Sequence, residues 1–414
     1  MIYEFMHTCK IQKGGITMEF SKKFEAIAPS PTLAIDSKFK QMRAYGLNVV
    51  GFGAGEPDFD TPDHIKQAAI AAIMGGKTKY TPASGTVELK KAICAKFKRD
   101  NGLDYDIANI VVSNGAKHSL INAFGAILNP GDEVIIPAPF WVSYPEMVKY
   151  NDGVPVIIHT TEENKFKFSP EQFEAAITPR TKAIVINSPC NPTGMVYTAD
   201  ELKAIADVAV KHGIYVISDE IYEHLIYGGA THTSIASFGE DIKDLTIIIN
   251  GVSKTYAMTG WRIGFTASSA KIAKMMSNVQ SHTTSNPNSI AQEATIAALN
   301  GPKEELDTMI KAFDERRKYM VERINGVDGV SCTSPDGAFY VMMNIEKLIG
   351  KTICGKLINT ADDFSEVFLS EQLVAVVSGV GFDAPNFVRW SYATSMENIC
   401  EGIDRLEKLL ADCK

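Results

Sequence analysis

Residues 246–265 read Thr-Ile-Ile-Ile-Asn-Gly-Val-Ser-Lys-Thr-Tyr-Ala-Met-Thr-Gly-Trp-Arg-Ile-Gly-Phe. The β-branched run at their head predicts a strand buried on both faces. That strand opens into Ser253 and Lys254, and Arg262 follows eight positions after the lysine. A lysine at the end of a buried strand is costly unless it stays exposed, is paired, or gives up its proton. Held neutral, it is a nucleophile for carbonyl carbon and can form a Schiff base. A Ser-Lys pair by itself reads as surface residues after a strand, so the company it keeps decides the matter.

That company is spread along the chain. The run Ala183–Asn187 ends in Ser-Pro-Cys-Asn191-Pro-Thr-Gly, and Ile214–Ser218 ends in Asp219-Glu-Ile-Tyr222. Ile110–Ser113 is followed by Asn114 and then by Gly115-Ala116-Lys117-His118, which opens a helix. A strand, a glycine and a helix start make an anion site, because unpaired backbone N–H groups and the helix dipole point the same way. Each residue also has a plain structural reading: Asp219 as a helix cap, Asn191 as a turn residue, Tyr222 as core, His118 as an ordinary helical position. Gly51-Phe-Gly-Ala-Gly55 fails as a dinucleotide fingerprint, since the third glycine would fall at Glu56 and Pro57 follows. It reads instead as a strand end where glycines let the backbone approach a ligand.

The elements that must position these residues alternate between strand and helix. Strands are expected at 110–113, 133–136, 154–158, 183–187, 214–218, 246–249 and 263–267. Helices are expected after Thr61-Pro62-Asp63, which reads as a cap with proline in the first turn, and at 88–99, 116–128, from Pro139-Phe140-Trp141 onward, 170–177 and 201–211. This pattern predicts an α/β fold with a large domain built on a doubly wound, mostly parallel sheet. Ligands of such sheets sit beyond the carboxyl ends of the strands. Asn191, Asp219, Ser253, Lys254 and the Gly115–Lys117 helix start should therefore share one edge. Beyond Pro287 the character changes to a long helix near 304–324 and shorter strands near 339–343, 373–377 and 387–392. The Asp-Glu-Arg-Arg-Lys run in that helix (314–318) reads as a solvated face. We expect an N-terminal extension at 1–17 ahead of a start at Met18, the first part of a smaller α+β domain at 18–60, the large domain at 61–300 and the rest of the small domain at 301–414.

With 414 residues the chain is too long for one ordinary core. A net charge of −8 and the lack of a basic stripe argue against a nucleic-acid partner. No apolar run approaches the roughly 18 residues of a membrane span. The seven cysteines include no Cys-x-x-Cys pair, so neither a disulfide framework nor a structural metal site is expected. These features imply a cytoplasmic enzyme acting on small molecules.

A lysine, a carboxylate, an amide, a tyrosine, an anion-binding helix start and an arginine on one edge are what a phosphorylated pyridine aldehyde requires. Taken in order, Gly-Glu-Pro-Asp-Phe-Asp-Thr-Pro (55–62), Asn-Ser-Pro-Cys-Asn-Pro-Thr-Gly (187–194), Ser-Asp-Glu-Ile-Tyr (218–222), Ser-Lys-Thr-Tyr-Ala-Met-Thr-Gly-Trp-Arg-Ile-Gly (253–264) and Val-Arg-Trp-Ser-Tyr-Ala (388–393) resemble the class I, fold type I pyridoxal-phosphate aminotransferases. Lys-Tyr-Thr-Pro-Ala-Ser-Gly (79–85) and Trp-Val-Ser-Tyr-Pro-Glu-Met-Val (141–148) are similar to the prokaryotic-type aspartate aminotransferase branch.

The resemblance implies pyridoxal 5'-phosphate as cofactor and a homodimer with shared active sites. It implies that Lys254 forms the cofactor imine and later shuttles the proton at the substrate Cα. Asp219 pairs with the pyridine nitrogen, Tyr222 and Asn191 bond the ring hydroxyl, and Trp141 stacks on the ring. Gly115, Ala116 and Lys117, with Ser253 and Arg262, hold the phosphate, and Tyr80 reaches the phosphate of the neighbouring subunit. Arg389 binds the substrate α-carboxylate, assisted by the Gly55 backbone and Asn191, with Trp141 also on the substrate side. The implied reaction is aspartate with 2-oxoglutarate giving oxaloacetate and glutamate. Alternatives on the same fold are aromatic amino acids, prephenate or alanine, or a C–S lyase or decarboxylase. Two departures stand out: Cys190 precedes Asn191, expected as a buried inert thiol, and no arginine matches the side-chain-carboxylate reader of the animal-type enzymes. Ser30-Pro31-Thr32-Leu33 and Ser281-His282-Thr283-Thr284-Ser285 are the expected wall against the substrate side chain.

Overall fold

The computed structural model describes residues 19–29 and 31–411. The expected extension at 1–17 and the start at Met18 lie outside the described residues, as does Ser30. The first strand, β1 (Val50–Gly51), is short. The large sheet then takes β2 (Ile110–Ser113), β3 (Glu133–Ala138), β4 (Val154–His159), β5 (Thr181–Asn187), β6 (Tyr215–Asp219), β7 (Thr246–Gly251) and β8 (Gly264–Ala267). Their order across the sheet is β2-β8-β7-β6-β5-β3-β4. All neighbours are parallel except β8, which runs antiparallel to both β2 and β7. The fold is therefore α/β with a mostly parallel sheet, whose central strand β7 is buried along its whole length and whose neighbour β6 is buried in all but its first residue.

The registry explains why the chemistry gathers at one edge. Asn187 lies beside Asp219, and Asp219 beside Ile249. Because β8 is reversed, its first residue, Gly264, lies level with both Gly251 and Ser113. The Gly264 site has no room for a side chain: a Cβ there would stand 2.2 Å from the Ala116 amide nitrogen. The start of the helix Ala116–Ile127 is thereby pressed against the strand ends.

Helix boundaries follow local signals. Thr86 caps Val87–Asn101, and Gly102 ends it in the left-handed region at φ 68°. Thr198 and Glu201 form a capping box on Ala199–His212, which stops at Gly213. Three expectations need correction. The helix expected from Pro139-Phe140-Trp141 begins at Ser143; the residues ahead of it turn against the C-terminal layer, where the Phe140 N–H donates to the Phe382 carbonyl at 3.2 Å. Thr61 does not cap the helix Asp63–Met74; its hydroxyl donates to the Ala257 carbonyl at 2.7 Å and accepts from Trp261 Nε1 at 2.9 Å. The run at 314–318 is not a uniformly solvated face, since Arg317 is buried and bonds Ser334, the Pro335 carbonyl and Asp314.

The two ends of the chain meet. β1 pairs in parallel with Val374–Ala375, and a four-stranded sheet forms from Val377–Ser378, Phe387–Ser391, Tyr340–Asn344 and Ser331–Cys332. The helices Glu304–Asn325, Ala361–Gln372 and Met396–Ala411 cover it with one apolar core that includes Phe52, Phe313, Phe368 and Trp390. Among the described residues no helix is long and apolar enough to cross a membrane.

Candidate active site

A cavity of about 420 Å³ opens where the large sheet's strand ends face the C-terminal layer. It is lined by Gly55, Ala116, Lys117, Trp141, Asn191, Asp219, Tyr222, Ser253, Lys254, Arg262 and Arg389 from the sequence-derived set. Gly115 sits behind the Arg262 guanidinium, with no space for a Cβ. Tyr80 does not line the cavity of its own chain; it is 91% exposed.

Lys254 stands three residues past the end of β7 in a turn, half-buried, with its ammonium donating to the Gly55 carbonyl. Burial and the nearby Arg262 and Arg389 charges pull its pKa down to about 8, although Glu56 opposes them. Its amine is therefore available as a nucleophile at mildly alkaline pH. Asp219 ends β6, and burial pushes its carboxyl up to about 6. It accepts from the Tyr144 hydroxyl at 2.7 Å and from the Ile221 N–H at 3.3 Å. A carboxylate so desolvated is poised to take a cationic partner.

Arg389 is 2% exposed. Its Nη1 donates to Asn191 Oδ1 at 2.9 Å and its Nη2 to the Gly53 carbonyl at 3.0 Å, while its Nε has no partner among the described residues. The guanidinium lies 4.4 Å from the Tyr340 ring centre, which supports its face. On the other wall, Arg262 is held in the left-handed region at φ 59°. It donates to the Thr259 carbonyl at 2.9 Å and the Asn114 carbonyl at 3.3 Å. It thus faces the helix start at Ala116 and Lys117, whose N–H groups lack intrahelical acceptors by position. The Lys117 ammonium lies 4.8 Å from the Trp141 ring centre. Burial and Arg262 lower its pKa.

Sequence reasoning missed several lining residues. Tyr144, Asn187 and Tyr340 were not singled out, nor were Glu56 and Thr259. Tyr144 follows Trp141 by three positions, a spacing that presents both to one side, and its hydroxyl fixes Asp219. Asn187 was legible as a strand end level with Asp219; its amide donates to the Asp219 carbonyl at 2.9 Å and accepts from the Asn191 N–H at 2.7 Å. Tyr340 bonds Tyr222 through their hydroxyls at 2.9 Å, and nothing local in the sequence signals that long-range pair. Of the expected side-chain wall, Thr32 lines the cavity, but residues 281–285, at and just beyond the end of the helix Ala270–Thr283, do not. Cys190 is largely enclosed, and burial raises its thiol pKa, which suits an unreactive side chain.

A lysine poised for carbonyl chemistry beside a buried carboxylate, on the strand edge of a mostly parallel sheet, defines a candidate lysine-imine enzyme. The family model for aminotransferase class I and II matches residues 48–406, and the chain belongs to that family of aminotransferases. It is 50% identical over 393 residues to an aspartate aminotransferase of Geobacillus stearothermophilus, covering 95% of this chain and 99% of that one. It is 47% identical over 397 residues to an aspartate/prephenate aminotransferase of Nitrosomonas europaea, covering 95% and 100%. The crystal structure of an aspartate aminotransferase from Rhizobium meliloti superposes with a TM-score of 0.93 at 42% identity, covering 96% of this chain and all of that one.

Proposed function

We propose that this protein is a pyridoxal-phosphate-dependent aspartate aminotransferase that pairs aspartate and oxaloacetate with glutamate and 2-oxoglutarate. The observation that carries the reading is the charge content of the cavity. Four cations, Lys117, Lys254, Arg262 and Arg389, line it against two carboxylates, Glu56 and Asp219. The residues fit the cofactor. Asp219, its proton affinity raised by burial, would pair with a pyridine nitrogen and stabilise its positive charge. Arg262, Ser253 and the amides at Gly115, Ala116 and Lys117 form a cradle for a phosphate. Tyr222 and Asn191 would bond the ring hydroxyl, and Trp141 would cover the ring face.

When bound, the cofactor supplies an aldehyde carbon and an electron-accepting ring for the charge left at the substrate Cα. Lys254 would hold the cofactor at that carbon, and its amine, once free, would carry the proton to and from the substrate Cα. Its lowered pKa suits both tasks. Arg389 would clamp the α-carboxylate: Asn191 and the Gly53 carbonyl hold its two terminal nitrogens, the Tyr340 ring supports its face, and the unpartnered Nε is left to donate. Three of the four cations then have tasks, and the Lys117 ammonium is left for a second carboxylate. This extends the role of Lys117 beyond its backbone N–H. It also answers the lack of a second arginine. Prephenate, a dicarboxylic acid like aspartate, is the second reading, favoured by the same fourth cation.

The rest of the reading is organisational. Residues 18–60 with 301–414 form the small domain and 61–300 the large one. The working form is a cytoplasmic homodimer in which Tyr80 of each subunit completes the phosphate cradle of the other; its side chain is 91% exposed and outside its own cavity. The test compares kcat/KM for aspartate, glutamate, alanine and phenylalanine as donors, and for prephenate as acceptor, in wild type and Lys117→Met. Wild type should prefer the dicarboxylates, and the substitution should cost them on the order of 10²-fold while sparing alanine and phenylalanine. Equal losses for all donors would remove Lys117 from substrate selection. A preference for monocarboxylic donors in wild type would overturn the substrate.

A further inference from the structure

The segment 219–223 has two sides. Asp219 and Tyr222 face the cavity, while Glu220 and Glu223 are buried behind it, 1% and 4% exposed. Glu220 accepts from Ser218 at 2.9 Å, from Ser234 at 2.7 Å and pairs with His232 at 3.2 Å. Glu223 Oε1 pairs with the Lys96 ammonium and accepts from Asn250 Nδ2 at 2.8 Å, and Oε2 accepts from Asn101 Nδ2 at 3.0 Å. Lys96 also donates to Asn101 Oδ1 at 2.7 Å. Burial alone would raise the Glu223 carboxyl, yet the Lys96 cation holds it down at about 2. Glu220, Glu223 and His232 come within 4.8 Å of one another, and Lys96 is the cation paired directly with Glu223, with His224 Nε2 at 3.6 Å beside it.

Asn250 matters because of where it sits. It lies on β7 four residues before Lys254, and Glu223 directly follows Tyr222. The Asn250 side-chain Oδ1 accepts from the Gly251 N–H at 2.7 Å, which fixes the direction of its amide. The β6–β7 backbone ladder, which ends with the Glu220 N–H donating to the Ile249 carbonyl at 2.9 Å, already joins the two strands, and the Asn250–Glu223 bond adds a side-chain link just beyond it, between the residues leading to Lys254 and the segment carrying Asp219 and Tyr222. A buried ion pair is seldom the most stable way to fill such a space, since apolar residues often do as well. What an apolar pair cannot supply is an acceptor for Asn250.

We infer that Glu223 is a positioning residue: its carboxylate, held by Lys96 and Asn101, fixes through Asn250 the place of Lys254 relative to Asp219 and Tyr222. The inference rests on the proposed cofactor reading, because those three residues act together only there. Two double variants separate position from stability. In Lys96→Met/Glu223→Gln the new amide still offers an oxygen to Asn250, and Asn101, freed from Lys96, can turn to accept from its NH2. In Lys96→Met/Glu223→Leu the charges are equally gone but Asn250 loses its acceptor. Melting temperature, kcat, KM for aspartate and the pH midpoint of the bound cofactor's visible absorption are measured on both. Backbone hydrogen exchange over 219–223 and 250–254 is measured on the cofactor-free proteins.

The expected result is a near-wild-type Gln variant and a Leu variant with kcat lower by on the order of 10- to 100-fold. The Leu variant should also show a displaced absorption midpoint and faster exchange in both segments, with KM little changed. Matching kcat, absorption midpoint and exchange in the two doubles would overturn the inference. If the Leu variant does not fold, Asn250→Ala replaces it, with the same loss expected and the same indifference overturning. A wild-type protein that binds no cofactor would count against the proposed function instead, and the exchange comparison would still decide the strut.

Discussion

Asp219 shows how burial, charge and catalysis are tied at a single side chain. Its folded-state pKa of about 6 lies above the 3.8 of an exposed carboxyl. A raised pKa of this kind contributes stability that is complete below pH 4 and is lost as pH rises through 6. At pH 8 the cofactor-free protein therefore carries a buried charge that costs at most about 3 kcal/mol, two pKa units converted at 1.36 kcal/mol each. Asp219→Asn should raise the melting temperature of the cofactor-free protein at pH 8. The gain should shrink between pH 6 and pH 4 and vanish below. The same substitution should slow transamination severely, because a neutral amide cannot hold the ring nitrogen in its charged form. A pH-independent gain, or none at pH 8, would show that the carboxylate is not strained in the fold.

At the scale of elements, the phosphate cradle depends on a contact between a strand and a helix start. Gly264 on β8 meets Gly115 and Ala116 so closely that an added Cβ would stand 2.4 Å from the Gly115 carbonyl carbon. Gly264→Ala must push the helix start off the strand ends and spread the amides away from Arg262. Titration of the cofactor-free variant should show affinity for pyridoxal phosphate weaker by on the order of 10-fold or more. An unchanged affinity would mean the cradle does not need that contact. Much of this level was legible in the sequence. Short apolar runs rich in β-branched residues marked most of β2 to β8, and the residues after them marked the edge where Asn191, Asp219 and Lys254 meet. The reversal of β8 was not legible, since a short buried run carries no sign of its direction. Thr61 was misread because Thr-Pro-Asp is a sound cap in isolation, whereas its hydroxyl serves Ala257 and Trp261. Arg317 was misread because charge spacing on a helix does not reveal which side chains find a buried carbonyl such as that of Pro335. Tyr340 is an extreme case, joined to Tyr222 across 118 positions.

For the molecule as a whole, the sheet edge, the paired chain ends and the neighbouring subunit are all proposed to serve one lysine. Each subunit is expected to borrow Tyr80, so its site should respond to a partner that is itself inactive. Mixing Lys254→Ala with Tyr80→Ala under conditions of subunit exchange should raise activity per Tyr80→Ala subunit, because its intact Lys254 then meets an intact Tyr80. No gain despite proven exchange would confine Tyr80 to its own chain or to the surface. The central claim is that Lys254 carries the cofactor, and borohydride reduction of the loaded protein followed by peptide mapping tests it most directly. The expected result is one stable label per chain, on Lys254, with none in Lys254→Ala; a label on Lys117 or any other lysine would contradict the account.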